Sequence, residues 1–251
     1  ADWFSTRFKS PKNDSQLQSD NAKKCNPSPG QIDIYILYDT FSTTYDNDLA
    51  VTELYPDEPC GNGAGYIILL KRPPNTFDIL LHEYMHLVQR AYDIPAPCFN
   101  DDKAWWKEAT ATWAIDAYHA NASNAQFEQK YAKQYLSTVE LSIAATDSGR
   151  AYGAYLFPFY LAHREGSNDV TIIADIFQHM ESAKTADLYT VIDSKIEGGF
   201  AQRWPEFAFY NLNVNVYNYY EQWDMLREKV VILPAHQLRL ELGSRTHVFE
   251  E

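Results

Sequence analysis

Apolar and β-branched residues cluster into two short runs near the start of the chain. Residues 32–38 (Ile-Asp-Ile-Tyr-Ile-Leu-Tyr) lie between Gly30 and Asp39, and this composition predicts a strand. Residues 65–71 predict a second strand, stopped by Pro73 and Pro74. Asn75 or Thr76 is placed to cap a helix over 77–92, and Pro95 and Pro97 signal its end. A loop follows, and from Lys103 the aromatic residues return at helical spacing. Further helices are expected over 126–139, 150–164, 169–180, 187–195, 200–210 and 219–229. Pro158 belongs to a first turn or marks a kink. Residues 230–249 turn β-like again (Leu-Arg-Leu-Glu-Leu), and residues 1–30, with three prolines and Gly30, read as an irregular lead-in. The expected class is α+β: a small twisted sheet within about 31–98, a mainly helical lobe within about 99–230, and a tail from 231 that suits the start of a further domain.

Composition narrows the class of protein. With 251 residues, 45% hydrophobic and 15% aromatic, the chain is long and apolar enough for a full core. No apolar run approaches the roughly 18–20 residues of a membrane span. A net charge of −13 argues against a nucleic-acid partner. Cys25, Cys60 and Cys98 show no C-x-x-C spacing. Cys60 and Cys98 bracket the 77–92 helix, so a disulfide there and a pair of unbridged thiols are equally open, with Cys25 the odd one. The start at Ala1, the prolines and the cysteine pair lean toward a processed, secreted protein.

Chemistry concentrates in the 77–92 helix, where His82-Glu83-Tyr84-Met85-His86 matches H-E-x-x-H. Four helical residues turn through about 400°, so His82 and His86 share one face about 6 Å apart along the axis. Two such imidazoles can grip one Zn²⁺, and Glu83, about 100° round, can serve as general base without being a ligand. A catalytic zinc needs a third protein ligand. Tyr92 stands where a further His of H-E-x-x-H-x-x-G-x-x-H would be, and Gln89 where its Gly would be, so that arrangement is absent. Asp93 is about 10 Å along the helix, too far for the same ion. Asp101 and Asp102 sit in a polar loop. Glu108, followed by Ala109, Thr110 and Ala111, stands where small residues let two helices come close. His119 is about 16 Å beyond Glu108 along its helix and reads as a surface residue. Asp46, Asn47 and Asp48 offer oxygens for Ca²⁺ but lack the EF-hand spacing, and a solvated turn is the simpler reading.

Residues 77–113 resemble the gluzincin zinc metallopeptidases, the thermolysin-like group, in which H-E-x-x-H is followed about twenty residues on by a helical Glu. The interval to Glu108 is slightly longer here, and Lys107 stands where the family often has Asn. The resemblance implies a zincin-like fold with His82, His86 and Glu108 as zinc ligands and Glu83 as base. It also implies an oxyanion donor from the later helical region, for which Tyr152 and Tyr155 are the candidates and His163 the outsider. Thr112, one turn beyond Glu108, would orient a ligand histidine, ahead of Asp116. The substrate would lie extended along an edge strand, sought at Gly63, Ala64 and Gly65. The implied activity is hydrolysis of peptide bonds in an extracellular protein or peptide substrate, by an endopeptidase. The alternatives are an inactive zinc-binding adhesion module and a metal amidase acting on small molecules.

Overall fold

The computed structural model describes residues 2–16, 30–37, 49–55, 62–70, 74–94, 103–119, 127–145, 149–165, 170–184, 187–214, 218–227, 230, 240–242 and 245–247. It is a mixed α+β structure, mostly helical, with a small three-stranded sheet. Strands β1 (Ile34–Ile36), β2 (Ala50–Leu54) and β3 (Gly65–Leu69) are ordered β1-β3-β2. β1 runs parallel to β3 and β2 antiparallel to it, with Thr52 opposite Ile67. The expected strands at 32–38 and 65–71 are present in shortened form. β2 has no counterpart in the sequence reading. Its five residues, Ala-Val-Thr-Glu-Leu, do not alternate cleanly, and only Ala50 is buried, so pairing with β3 defines it.

β3 is therefore the central strand, and this corrects the edge position expected for the Gly63, Ala64 and Gly65 stretch. Gly65 is needed there for another reason. A Cβ at this position would lie 2.5 Å from the Glu53 carbonyl oxygen and 2.9 Å from Leu87 Cδ2. Its absence lets β2 and the helix above close on β3.

The first helix, α1 (Asp2–Ser5), is short and lies within the stretch read as an irregular lead-in. Phe4 and Phe8 are buried in the main core, Phe4 against Tyr84 at 4.9 Å between ring centroids and Phe8 against Trp113 at 6.4 Å. The Lys9 N–H donates to the Tyr92 hydroxyl at 3.2 Å. Helix α2 (Thr76–Arg90) lies between the sheet and α3 (Ala104–His119), so both helices are buried on most sides. Trp105, Trp106 and Trp113 fill the core, while Ala109 and Ala111 keep α3 close to its neighbours.

The rest of the chain wraps this pair. Helices α4 (Gln129–Leu136), α5 (Arg150–Gly153) and α6 (Leu156–Glu165) follow, then α7 (Thr171–Ala183), α8 (Leu188–Lys195), α9 (Gly199–Tyr210) and α10 (Tyr219–Asp224). The helix expected over 150–164 is broken at Ala154 and Tyr155, and Pro158 sits in the first turn of α6, where a missing N–H costs nothing. A Cβ on Gly153 would be 2.4 Å from the Tyr131 carbonyl oxygen, so this glycine sets the close approach of α5 to α4. The buried Arg150 guanidinium donates to the carbonyls of Tyr135, Leu141 and Ser142 and ties the segment after α4 to α5. The Asp187 carboxylate accepts from the Thr190 N–H and caps α8. α10 ends at Asp224, before the expected 229, because Met225 turns left-handed at φ 53°. Strands β4 (Leu240–Leu242) and β5 (Arg245–His247) pair antiparallel within the β-like tail.

Candidate metal centre

His82 and His86 project from one face of α2, with their rings at 87° and 4.7 Å between centroids. α3 crosses that face and brings Glu108 to them. His82 Nε2 and His86 Nε2 are 3.1 Å apart, and Glu108 Oε2 is 3.2 Å from the first and 3.4 Å from the second. A tetrahedral ion about 2.05 Å from each donor would space its donors about 3.3 Å apart. The triangle therefore has the dimensions of three corners of a zinc tetrahedron.

Protonation supports this reading of the triangle. Gln89 Nε2 donates to the Lys107 carbonyl and to Thr110 Oγ1, both at 2.9 Å. A carbonyl accepts only, so the other end of the amide is oxygen, and Gln89 Oε1 must accept from His86 Nδ1–H at 2.9 Å. A neutral His86 then has a bare lone pair on Nε2, facing the triangle. Thr112 Oγ1 lies 3.5 Å from His82 Nδ1, placed to accept its proton and bare the other nitrogen. Three electron-rich atoms converge on one buried point, and a cation there would relieve their repulsion.

Burial lowers the His86 pKa and so favours the neutral, ligating form. For Glu108, burial pushes the pKa up, but in the metal-free chain His86 and His82, when they carry the proton between them and the carboxylate, and Lys107 outweigh it and hold the carboxyl well below its usual range. Lys107 Nζ is 3.2 Å from Glu108 Oε1, so it ties one oxygen and leaves Oε2 for the histidines. Lys107 therefore orients the carboxylate.

Glu83 lies beside the triangle, outside it. Its Oε2 accepts from Thr52 Oγ1 at 2.7 Å, and the same hydroxyl is 2.8 Å from the Glu83 carbonyl. Arg90 Nη2 donates to the Thr52 carbonyl at 3.3 Å and fixes β2 against α2. His82 and Glu83 open onto a cleft of about 210 Å³, walled by Leu49 and Ala50 at the start of β2, Ile79, Phe127, Tyr131 and Tyr152. Tyr152 stacks on His82 at 5.5 Å and on Tyr131 at 5.1 Å between centroids.

The other candidates separate. Tyr155, paired with Tyr152 in the sequence reading, is fully buried and does not line the cleft, because the break before α6 turns it into the core. His163 stacks on Trp223 at 4.8 Å and its Nδ1–H donates to the Phe159 carbonyl, also away from the cleft. His119 is partly buried rather than a free surface residue, with Nε2 2.8 Å from Asp78 Oδ1. Asp93 is exposed beside Lys184, 3.4 Å away. Cys25, Cys60, Cys98, Asp46, Asn47, Asp48, Asp101 and Asp102 lie outside the described residues.

Thr52, Gln89 and Tyr131 line or support the centre and escaped the sequence reading. Gln89 had a legible signal, since it follows His86 by three residues and so shares its face. Thr52 and Tyr131 had none, because their elements reach the centre only through tertiary packing. No protein-family model, no curated protein and no solved structure matches this chain, so its chemistry is read from the geometry of this centre alone.

Proposed function

We propose that the chain is a zincin-like, zinc-dependent peptidase that cleaves peptide bonds with Glu83 as general base. The convergence of His82 Nε2, His86 Nε2 and Glu108 Oε2 at 3.1–3.4 Å, beside a cleft that Glu83 also lines, carries the reading. A zinc ion held by the three would act as Lewis acid and lower the pKa of water at the cleft.

The chain's own residues supply the rest. Thr52 holds the Glu83 carboxylate at the cleft, where it takes a proton from the attacking water and returns it to the departing amine. Tyr152 and Tyr131 wall the cleft with phenol groups, donors suited to the oxygen that becomes negative as the carbonyl is attacked. β2 is paired only with β3 among the described residues. Its other edge, beginning at Ala50 in the cleft wall, suits an extended peptide bound through its backbone. That edge replaces the one sought at Gly63, Ala64 and Gly65.

The test joins metal content to hydrolysis. Wild type should carry about one zinc per chain and cleave members of a protein panel. Glu108→Ala should lose the metal, while Glu83→Gln should keep it and lose cleavage by about 10²-fold or more. Zinc retained by Glu108→Ala would break the ligand assignment. Cleavage unchanged in Glu83→Gln would break the base assignment. Hydrolysis of small amides with no protein cleaved would move the activity to an amidase, and zinc without any hydrolysis would leave a binding module.

A further inference from the structure

α3 runs on past Glu108, and about 12 Å further along its axis it presents Asp116. There Asp116 meets Glu128, at the start of α4, and Asp224, the last residue of α10. One carboxylate oxygen from each lies within 4.8 Å of the other two. Asp116 and Glu128 are buried, and the charged groups facing them are themselves acids. Asp224 is held in place by Gln129, whose Nε2 donates to its Oδ2 at 3.0 Å and to its carbonyl at 2.7 Å.

Two further observations point to a missing partner. Both Glu128 carboxylate oxygens are fully buried and, apart from the nearby N–H of the same residue, have no donor among the described residues. The Tyr155 hydroxyl, on a separate element, is also fully buried without a hydrogen-bond partner, and it feels the charge of all three acids. Natural cores rarely leave such groups unsatisfied. Two buried acids, Asp116 and Glu128, and a lone phenol hydroxyl meet here with no cation facing them among the described residues.

We propose that Asp116, Glu128 and Asp224, with the Tyr155 hydroxyl as a neutral fourth oxygen, form a Ca²⁺ site. An all-oxygen donor set selects a hard cation. Ligand oxygens within 4.8 Å of one another can all reach one ion bound at about 2.4 Å. Mg²⁺ demands a near-ideal octahedron and keeps several waters, which poorly suits a cluster in which Asp116 and Glu128 are buried. The ion would bind α3, the start of α4 and the end of α10 together. Phe127, next to Glu128, and Tyr131, one turn on, wall the cleft, so the site would also hold that wall in place.

The experiment uses the full chain, freed of divalent ions, resupplied with one equivalent of zinc and titrated with Ca²⁺ or Mg²⁺. Equilibrium dialysis counts bound Ca²⁺, elemental analysis counts zinc, and thermal unfolding reports stability. The expected result is one Ca²⁺ per chain and a Tm raised by about 5–10 °C at a hundredfold excess over Kd. Mg²⁺ should have little effect. Glu128→Gln and Asp224→Asn should weaken Ca²⁺ binding by tenfold or more with the zinc count unchanged. No Ca²⁺ bound by wild type up to about 10 mM, weaker than extracellular calcium modules, overturns the proposal. An equal response to Mg²⁺ overturns it too, as does a Ca²⁺ response preserved in either folded variant. The wild-type titration decides the matter even if both variants fail to fold. The separate zinc count keeps this outcome apart from that of the peptidase reading.

Discussion

Gln89→Met tests the orientation of the histidines proposed as zinc ligands. The thioether fills much of the same volume but removes three hydrogen bonds: His86 Nδ1–H to Oε1, and Nε2 to the Lys107 carbonyl and Thr110 Oγ1, each 2.9 Å in wild type. The first bond fixes the His86 tautomer. Losing such a bond behind a metal ligand typically costs 10–100-fold in affinity, or about 1.4–2.7 kcal/mol. The other two remove one donor each from the part-buried Lys107 carbonyl and from Thr110 Oγ1, at a further cost of about 0.5–1.5 kcal/mol each in folding stability. Gln89→Glu separates the effects. Its carboxylate still accepts from His86 Nδ1–H but cannot donate to Lys107. Zinc affinity should then stay within about threefold of wild type while stability falls. Competition against a chromogenic chelator gives the affinity, and denaturant titration of the metal-free chain gives the stability. Gln89→Met binding zinc as tightly as wild type, in a folded chain, would refute the tautomer argument. An equal loss of affinity in both variants would show that packing at residue 89 matters and the acceptor does not.

Two further outcomes follow from the same contacts. Thr52→Val removes the only side-chain donor to Glu83 recorded among the described residues, so steady-state kinetics should show kcat reduced by about tenfold with zinc content unchanged; an unchanged kcat would detach β2 from the chemistry. In the metal-free chain, burial first and the charges of Asp224 and Asp78 next push Glu128 up to about 8, burial raises Asp224 to about 6 against the hydrogen bonds with Gln129 and Asp116, and Asp116 is also raised well above its usual value. The unfolded chain ionises these acids near pH 4 while the folded chain keeps their protons, so their contribution turns against folding as pH rises from about 4 to about 8, by about 1.4 kcal/mol per pH unit for each group within its window. His86 and Glu108, with lowered pKa values, favour folding as pH rises, so the informative quantity is the wild-type stability minus that of Glu128→Gln. That difference should decline between pH 5 and pH 8 in urea titrations without Ca²⁺, and a flat or rising difference would show that the acids are not held protonated.

The two histidines and Glu83 were legible in the sequence because helical periodicity is local: four residues put two side chains on one face whatever surrounds them. The crossing of a second helix was legible only as a composition, the small residues after Glu108, and its distance from the histidines had to come from the packing of α3 on α2. Helix positions over most of the chain followed from apolar spacing, with ends that shifted where a cap or a left-handed residue such as Met225 intervened.

What the sequence by itself determined, then, was whatever depends on neighbours along the chain: the α+β class, the H-E-x-x-H face, and Glu108 as a suited third donor. Tertiary structure alone decided the rest. β2 exists as a strand because β3 offers it hydrogen bonds, and that pairing both puts Thr52 on Glu83 and makes β3 central. Tyr152 reached the cleft and Tyr155 the core because the chain breaks between α5 and α6, and Gly153 admits the Tyr131 backbone. Asp116, Glu128 and Asp224 are far apart in sequence, and no local pattern relates them. They meet because three helices end or cross at one point, and burial then makes their charge matter.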